Sequence, residues 1–133
     1  MRWVVLAVFV IGCSSKPEPV PPKRPNNELI VGVFERHKPE GETAIRFDRD
    51  GSFRIAKTKG ELDRTPHIAD GKYTLEGDQL TLSNEHGSCT ESDGEKVGKY
   101  KVVVSKIGIR FQKVDDSCQR RSAMDGQTWW RVQ

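Results

Sequence analysis

The sequence predicts an all-β domain, an antiparallel up-and-down β-barrel of about eight strands with one short C-terminal helix. From residue 29 onward, apolar residues alternate with polar ones at a spacing of two, which is the period of a half-buried strand. Turn-forming residues, above all Asp and Gly, interrupt this alternation at short intervals, as the turns of hairpins require. The 133 residues suffice for one domain with a modest core, and two domains would not fit.

The first twelve residues differ from the rest of the chain. Ten residues of Met1–Gly12 are apolar, and Arg2 carries the single charge there. A charged start, a short apolar run and a small residue are typical of an export signal peptide. Nine apolar residues in a helix would cover roughly half of a bilayer's hydrocarbon core, so we do not expect a membrane span. The alternative is a buried strand or helix, which would have to end against a proline tract.

The residues that end this leader are Val10-Ile11-Gly12-Cys13, and they resemble the lipobox of bacterial lipoproteins. The resemblance implies thioether lipidation of Cys13, cleavage before it, and acylation of the new amine. Several acyl chains hold a protein firmly on a membrane, since each buried methylene contributes about 0.8 kcal/mol. Ser14 stands where an Asp would retain an enterobacterial lipoprotein in the inner membrane, so we expect a lipid-anchored protein of the cell envelope, at the outer membrane. A free thiol behind an ordinary signal peptide is the alternative.

The segment 13–27 is predicted to be a disordered tether between the anchor and a domain at 28–133. Five of the seven prolines of the chain lie within Pro17–Pro25, and proline favours an extended, semi-rigid chain. This segment carries three basic residues and one acidic residue, whereas Glu28–Gln133 carries 18 of each. Because the domain has no excess of Lys and Arg to neutralise phosphates, we do not expect it to bind nucleic acid.

Cys89 and Cys118 are the two cysteines that remain once Cys13 is assigned to lipid. An exported compartment permits disulfides, so the two are predicted to form one. Such a bridge closes a loop of about 30 residues and would stabilise the fold by roughly 3 kcal/mol. A metal or redox pair is the weaker alternative, because the chain has no Cys-x-x-Cys motif and its three histidines lack ligand spacing. We expect no cofactor.

Apolar pairs on both sides of short turns predict three hairpins, with turns at Asp48–Gly51, Glu76–Asp78 and Ser105-Lys106. A first strand is predicted from the alternation of Leu29, Val31 and Val33, and a last one from Trp129-Trp130-Arg131-Val132. The short helix is predicted within Ser117–Met124, with Gly126 as its stop. About eight strands at such intervals favour a closed meander barrel, whose apolar strand faces fill the interior.

The order of several short motifs is similar to that of the lipocalin-like domains of small bacterial lipoproteins. These motifs are Gly32-Val33-Phe34, the repeated Gly-x-Tyr of Gly71–Tyr73 and Gly98–Tyr100, the segment Asp116-Ser117-Cys118-Gln119-Arg120, and Trp129-Trp130-Arg131. The resemblance implies an eight-stranded barrel with a cavity for an apolar ligand. It also implies that Arg131 packs against the first-strand aromatic residue, here Phe34 in place of a Trp.

Candidate ligand-lining residues are the aromatic ones at alternating positions, for which plain core packing is the simpler interpretation. They are Phe47, Phe53, Tyr73, Tyr100, Phe111 and Trp129. We do not expect an enzyme, since the histidines at 37, 67 and 86 are predicted to lie in solvated loops, away from any nucleophile. Asp115-Asp116 is interpreted as a cap of the short helix, with a cation site as the alternative.

Arginines near these carboxylates have two interpretations. Arg120-Arg121 and Arg131 bind an acidic group, or they pair with Asp115 and Asp116, and the ion pair is the simpler assumption.

Two functions are compatible with these features. The first is a membrane-anchored binding protein for a small apolar or amphipathic molecule. The second is an envelope interaction or inhibitor module with a filled barrel, using loops within Gly60–Gly71 or Glu85–Val97. A cavity of about 300 Å³ or more would favour the first.

Overall fold

The structure, a computed structural model, describes residues 24–39, 41–64 and 67–132. Within these ranges eight antiparallel strands close into one barrel, in which each strand pairs with its neighbours in sequence and the last pairs with the first. The predicted fold class is therefore confirmed. The strands are β1 Gly32–Lys38, β2 Gly41–Phe47, β3 Ser52–Ala56, β4 Ala69–Glu76, β5 Gln79–Gly87, β6 Val97–Val104, β7 Gly108–Asp115 and β8 Thr128–Arg131.

Short helical turns connect some of these strands. They are α1 Asn26–Leu29, a 3₁₀ turn at Lys59–Glu61, α2 Asp93–Lys96 and α3 Gln119–Ser122. The predicted helix within Ser117–Met124 is present as the single turn α3. The sequence pattern did not indicate the other three, because a segment of three or four residues is too short to show helical periodicity.

The first strand was predicted with the wrong start and the wrong inward residues. Leu29 lies in α1, and β1 begins at Gly32 and directs Phe34 into the core, while Val33 faces outward and is half-buried. The apolar alternation of this segment misled because Leu29 and Ile30 are both buried, although they are adjacent in sequence. Consecutive residues of a strand point to opposite faces, whereas a helical turn can bury both.

The two ends of the barrel are closed differently. The turns of all three predicted hairpins lie at the end where α1 packs, which we call the α1 end. There the Asn26 side-chain amide donates a hydrogen bond to the Gly77 carbonyl, at 2.9 Å. The longer connections that follow β3, β5 and β7 lie at the opposite end, which we call the loop end.

Aromatic rings fill the middle of the barrel. Phe111 is central: its ring centroid lies 6.5 Å from that of Phe47, 6.3 Å from Tyr100 and 6.0 Å from Trp129. The contacts of Phe111 with Tyr100 and Trp129 are edge-to-face, a geometry that aromatic pairs prefer. All four side chains are at most 1% exposed, so this layer divides the interior.

The first and last strands meet as the family resemblance implied. The Arg131 guanidinium lies over the Phe34 ring, with 4.6 Å between its central carbon and the ring centroid. Gly32 makes this approach possible, because a Cβ atom there would come within 2.8 Å of Arg131 Nη1. Gly32 also has a φ of +143°, which other residues rarely adopt.

Candidate functional site

A cavity of about 170 Å³ lies at the loop end, between the aromatic layer and α3. Its walls are mostly apolar, and they combine strand residues with residues of the connections that cover this end. The lining residues that define its shape and chemistry are Arg36, Ile68, Asn84, Arg120, Met124 and Trp129. An open groove of about 700 Å³ adjoins the cavity and shares Ile68, Ser88, Cys118 and Arg120 with it.

A buried ion pair between Arg121 and Asp116 holds α3 in place at the loop end. Arg121 Nε donates to Asp116 Oδ2 at 2.6 Å, and Arg121 Nη2 donates to Asp116 Oδ1 at 2.7 Å. Two carbonyls, those of Glu95 and Lys96, accept further hydrogen bonds from the same guanidinium. Because a bidentate pair satisfies both charges, the loop end can bury two ionised groups without leaving one unpaired.

In the second copy of the Gly-x-Tyr repeat, both Gly98 and Tyr100 lie against Asp116. The Tyr100 hydroxyl donates to Asp116 Oδ2, and a Cβ atom at Gly98 would lie 2.5 Å from the same oxygen. Burial, followed by the Asp116 hydrogen bond, raises the pKa of Tyr100 above its usual range, so this hydroxyl keeps its proton. Burial alone would raise the pKa of Asp116, but hydrogen bonds from Arg121 and Tyr100 outweigh it and lower that pKa.

A disulfide fastens α3 to the connection that follows β5. Cys89 and Cys118 are joined as predicted, with 5.9 Å between their Cα atoms. Cys118 also precedes α3, where its Sγ accepts a hydrogen bond from the backbone N–H of Arg121 at 3.3 Å. The bridge and the ion pair therefore hold the same short turn over the cavity.

The cavity lining includes buried polar atoms of Trp129 and Asn84 that have no hydrogen-bond partner among the described residues. They are the Trp129 indole Nε1–H and the Asn84 side-chain oxygen Oδ1. Trp129 is 1% exposed and Asn84 is 3% exposed. An unmet buried donor or acceptor costs about 1–3 kcal/mol, so a ligand that satisfied both would gain that free energy. The first is a donor and the second an acceptor, and a hydroxyl group can serve either one.

Arg36 fixes the position of the Trp129 ring. Its guanidinium carbon lies 5.1 Å from the ring centroid, within the range of a cation–π contact. Nη1 of the same side chain donates to the Ala123 carbonyl at 3.1 Å, which ties β1 to the connection after α3. The cavity wall at Trp129 is thus held by contacts from β1.

The structure separates the six candidate ligand-lining residues into three groups. Trp129 lines the cavity. Phe47, Phe53, Tyr100 and Phe111 are buried core residues. Tyr73 is half-buried at the α1 end, where its hydroxyl donates to the Asp48 carbonyl at 2.7 Å.

Asn84 and Met124 are cavity residues that sequence reasoning missed. For Asn84 a signal was present. Leu80, Leu82 and Asn84 occupy alternate positions of β5, and all three are buried. A polar residue at an inward position is unusual, and it points to a satisfied core contact or to a binding site.

Asp116 keeps its predicted ion pair, but the residue that caps α3 is Cys118, so the predicted Asp115-Asp116 cap is wrong. Asp116 pairs with Arg121, in agreement with the simpler interpretation, and Asp116 Oδ1 also accepts from the Cys118 backbone N–H just before α3.

Two of the histidines also differ from their predicted settings. His37 lies in β1 and His86 in β5, so the prediction that both lie in loops is wrong. His86 Nδ1 lies 2.7 Å from Asp70 Oδ1, and this hydrogen bond raises the pKa of His86.

Arg131 forms no ion pair with either of the carboxylates predicted for it. It donates to backbone carbonyls instead of pairing with Asp115 or Asp116.

Cys13, with the predicted leader and most of the tether, lies outside the described residues. In the part of the chain that the structure describes, no helix has the length and apolar character to cross a membrane. Across the same residues, no group of three or more His, Cys, Asp or Glu side chains is arranged to hold a metal ion. Comparison with known protein families and with curated proteins found no match for the chain.

Proposed function

We propose that the chain is a lipid-anchored envelope protein whose barrel binds a compact amphipathic molecule at the loop end. The observation that carries the binding function is the cavity with the unmet polar atoms Trp129 Nε1–H and Asn84 Oδ1. Its volume of about 170 Å³ is below the roughly 300 Å³ of an ordinary ligand pocket. It nevertheless suits a single ring, since dry cavities of about 150 Å³ bind benzene.

The ligand that fits best has an apolar ring in the cavity and a hydroxyl that meets Trp129 or Asn84. Such a hydroxyl can accept from Nε1–H or donate to Oδ1, while larger polar substituents extend into the adjoining groove. A long acyl chain is excluded from the barrel axis, because the aromatic layer around Phe111 occupies it.

Phenol and toluene test this site, since they have the same ring and differ in the hydroxyl. We expect phenol to bind about tenfold more tightly in isothermal titration calorimetry, because one good hydrogen bond is worth about 1–1.5 kcal/mol. Trp129→Phe should abolish this preference and still bind toluene. Ala69 also lines the cavity, so Ala69→Leu puts a larger side chain into it and should weaken the binding of both ligands. Equal affinities for phenol and toluene in the unchanged protein would overturn the hydroxyl site.

The anchor rests on the lipobox-like residues Val10–Cys13. We expect the unchanged protein to incorporate labelled fatty acid and to sediment with membranes, and Cys13→Ala to take up none. A Cys89→Ser, Cys118→Ser variant is the matched control, because its Cys13 is intact and its labelling should persist. If Cys13→Ala still fractionates with membranes and the unchanged protein takes up no label, the lipoprotein assignment is wrong.

A second function is favoured by the filled centre of the barrel. With the aromatic layer around Phe111 packed at the axis, the domain also suits an interaction or inhibitor module that uses its loop end. Native mass spectrometry of the gently purified protein separates the two functions. A retained small molecule favours binding, and an apo mass that persists when phenol is added favours the interaction module.

A further inference from the structure

Exposed apolar side chains are concentrated on one side of the barrel. Among the described residues five large apolar side chains are exposed, and four of them lie between Val97 and Val114: Val97, Val103, Ile107 and Val114. The fifth, Trp130, is 54% exposed on β8. Ile107, at 68%, lies in the turn between β6 and β7.

The same segment is uniformly basic. Residues 97–114 include five basic residues and no acidic one, although the predicted domain as a whole carries 18 of each. The five are Lys99, Lys101, Lys106, Arg110 and Lys113, and all are exposed. Across residues 24–39, 41–64 and 67–132, Lys101 is the one of the five that forms an ion pair, with Asp78 at 3.7 Å. The rest of the domain therefore carries a compensating excess of five negative charges.

Strand register places most of these side chains on one outer face; Lys113 is the exception, because it pairs with the buried Tyr100. β6 alternates between exposed and buried residues along its whole length, so its apolar and basic exposed residues share a face. Val103 pairs with Arg110 across β6 and β7, and Gly108 pairs with Trp130 across β7 and β8. We call this surface, formed by exposed residues 97–112 and Trp130, the hairpin face.

The hairpin face ends next to the point where the tether joins the barrel. Arg131 donates to the carbonyls of Leu29 and Val31 and also to those of Ser105 and Lys106. One side chain thus links the entering chain to the turn that carries Ile107. From Cys13 to Arg24 is eleven residues, which span about 34 Å when fully extended as polyproline II. A bilayer that holds Cys13 is therefore within reach of this turn.

We propose that the hairpin face binds an anionic phospholipid surface, with Ile107 and Trp130 in the interface and Lys106 and Arg110 against the headgroups. Tryptophan is enriched at membrane–water interfaces, and basic residues near an anionic leaflet are attracted to it. A surface that combines both features fits a lipid better than it fits an acidic protein. The orientation relative to the bilayer rests on the proposed anchor, whereas the affinity for lipid does not.

A fluorescent label at residue 112 tests the contact. Gln112 is exposed on β7, within the hairpin face but outside its apolar and basic set, and Gln112→Cys provides the attachment site. A second label through Glu61→Cys, in the connection after β3 at the loop end, is the control. The labelled full-length chains are mixed with vesicles of phosphatidylglycerol and phosphatidylcholine that carry a headgroup quencher. We expect several-fold stronger quenching at 112 than at 61. With phosphatidylcholine alone, quenching at 112 should fall to the level at 61, because acyl chains on Cys13 still hold the protein on the vesicle but no anionic headgroups attract the face.

Charge variants test whether vesicle binding depends on the hairpin face or only on the overall charge of the protein. Lys106→Glu with Arg110→Glu should abolish the quenching at 112, while Lys57→Glu with Lys59→Glu, an exposed pair at the loop end, should leave it unchanged. Equal quenching at 112 and 61, or quenching that ignores the lipid charge, overturns the proposal and leaves a protein partner for the face. Mass spectrometry of the same samples reports acyl chains on Cys13. A failed anchor is thereby distinguished from a failed hairpin face.

Discussion

Asp116 and Arg121 are ionised side chains almost out of contact with water, at 0% and 2% exposure. Removing one partner of such a pair leaves a buried charge without compensation, which costs about 3–5 kcal/mol. The hydrogen bonds to Asp116 also make its contribution dependent on pH. Because its pKa is lower in the folded state than in the unfolded chain, this contribution is complete above about pH 4 and is lost as the pH falls through the folded-state pKa.

We predict that Asp116→Asn lowers the free energy of unfolding by about 3 kcal/mol at neutral pH. The difference from the unchanged protein should shrink at about pH 3, because the carboxyl of the unfolded chain is protonated there and unfolding then takes up a proton. Urea unfolding at both pH values measures it. Asp115→Asn is the matched control, because Asp115 is adjacent and exposed. If the two variants unfold alike, the buried pair does not stabilise the loop end.

Single residues were predictable where chemistry restricts the choice. The pairing of Cys89 with Cys118 followed from counting thiols, and the ion pair of Asp116 from opposite charges close together in sequence. Asn84 was missed, because a buried polar residue within a strand gains meaning only once its inward direction is known. Sequence alternation marked Leu80 and Leu82 as inward, and extending it by two residues would have included Asn84.

At the scale of elements, α3 is too short to be stable alone. A single helical turn fixes several backbone dihedrals for very few hydrogen bonds, so tertiary links must hold it. The Cys89–Cys118 disulfide joins its first turn to the connection after β5, across a sequence separation of 29 residues. Cys89 itself has a φ of +59°, a conformation uncommon for residues other than glycine, and the bridge holds it there.

We predict that Cys89→Ser with Cys118→Ser lowers the free energy of unfolding by about 3 kcal/mol, the value expected for a loop of this length. Urea unfolding followed by circular dichroism measures the change. Reductant should lower the stability of the unchanged protein by a similar amount and leave the variant unaffected. A variant as stable as the unchanged oxidised protein would show that the other contacts of α3 suffice.

Hairpins were the elements that sequence predicted best, because each is local: its turn residues and its alternating strands lie within about 15 residues. All three predicted turns connect paired strands, β2 with β3, β4 with β5, and β6 with β7. The start and the inward residues of the first strand were predicted wrongly, because Leu29 and Ile30 are buried at α1, before β1 begins. Position in the barrel, rather than local pattern, decides which of its faces is inward.

For the whole molecule, the sequence predicted the barrel but not where its free volume lies. All six candidate aromatic residues are on strands, yet whether such a residue fills the core or lines a cavity depends on which rings meet across the interior. Phe111 has three aromatic neighbours, from β2, β6 and β8, and together they fill the axis. The remaining volume therefore lies at the loop end, where connections rather than strands cover the barrel.

Closure of the barrel depends on a short contact between its first and last strands. Two Cα pairs join β1 to β8, Phe34 with Arg131 and Glu35 with Trp130. Arg131 supplements this ladder by donating to four carbonyls, two in the entering chain and two in the β6–β7 turn. A hydrogen bond that involves a charged group contributes about 1.5–3 kcal/mol, so this side chain contributes strongly to the stability of the closed barrel.

We predict that Arg131→Lys lowers the free energy of unfolding by about 2 kcal/mol, although it keeps the positive charge. Lysine has no planar fork, so it cannot reach carbonyls on both sides and stack on Phe34 at the same time. Arg110→Lys, an exposed residue of the neighbouring strand, is the control and should change stability by less than about 0.5 kcal/mol. Urea unfolding of both variants measures the difference. If Arg131→Lys matches the unchanged protein, charge alone suffices at this position, and closure rests on the β1–β8 ladder.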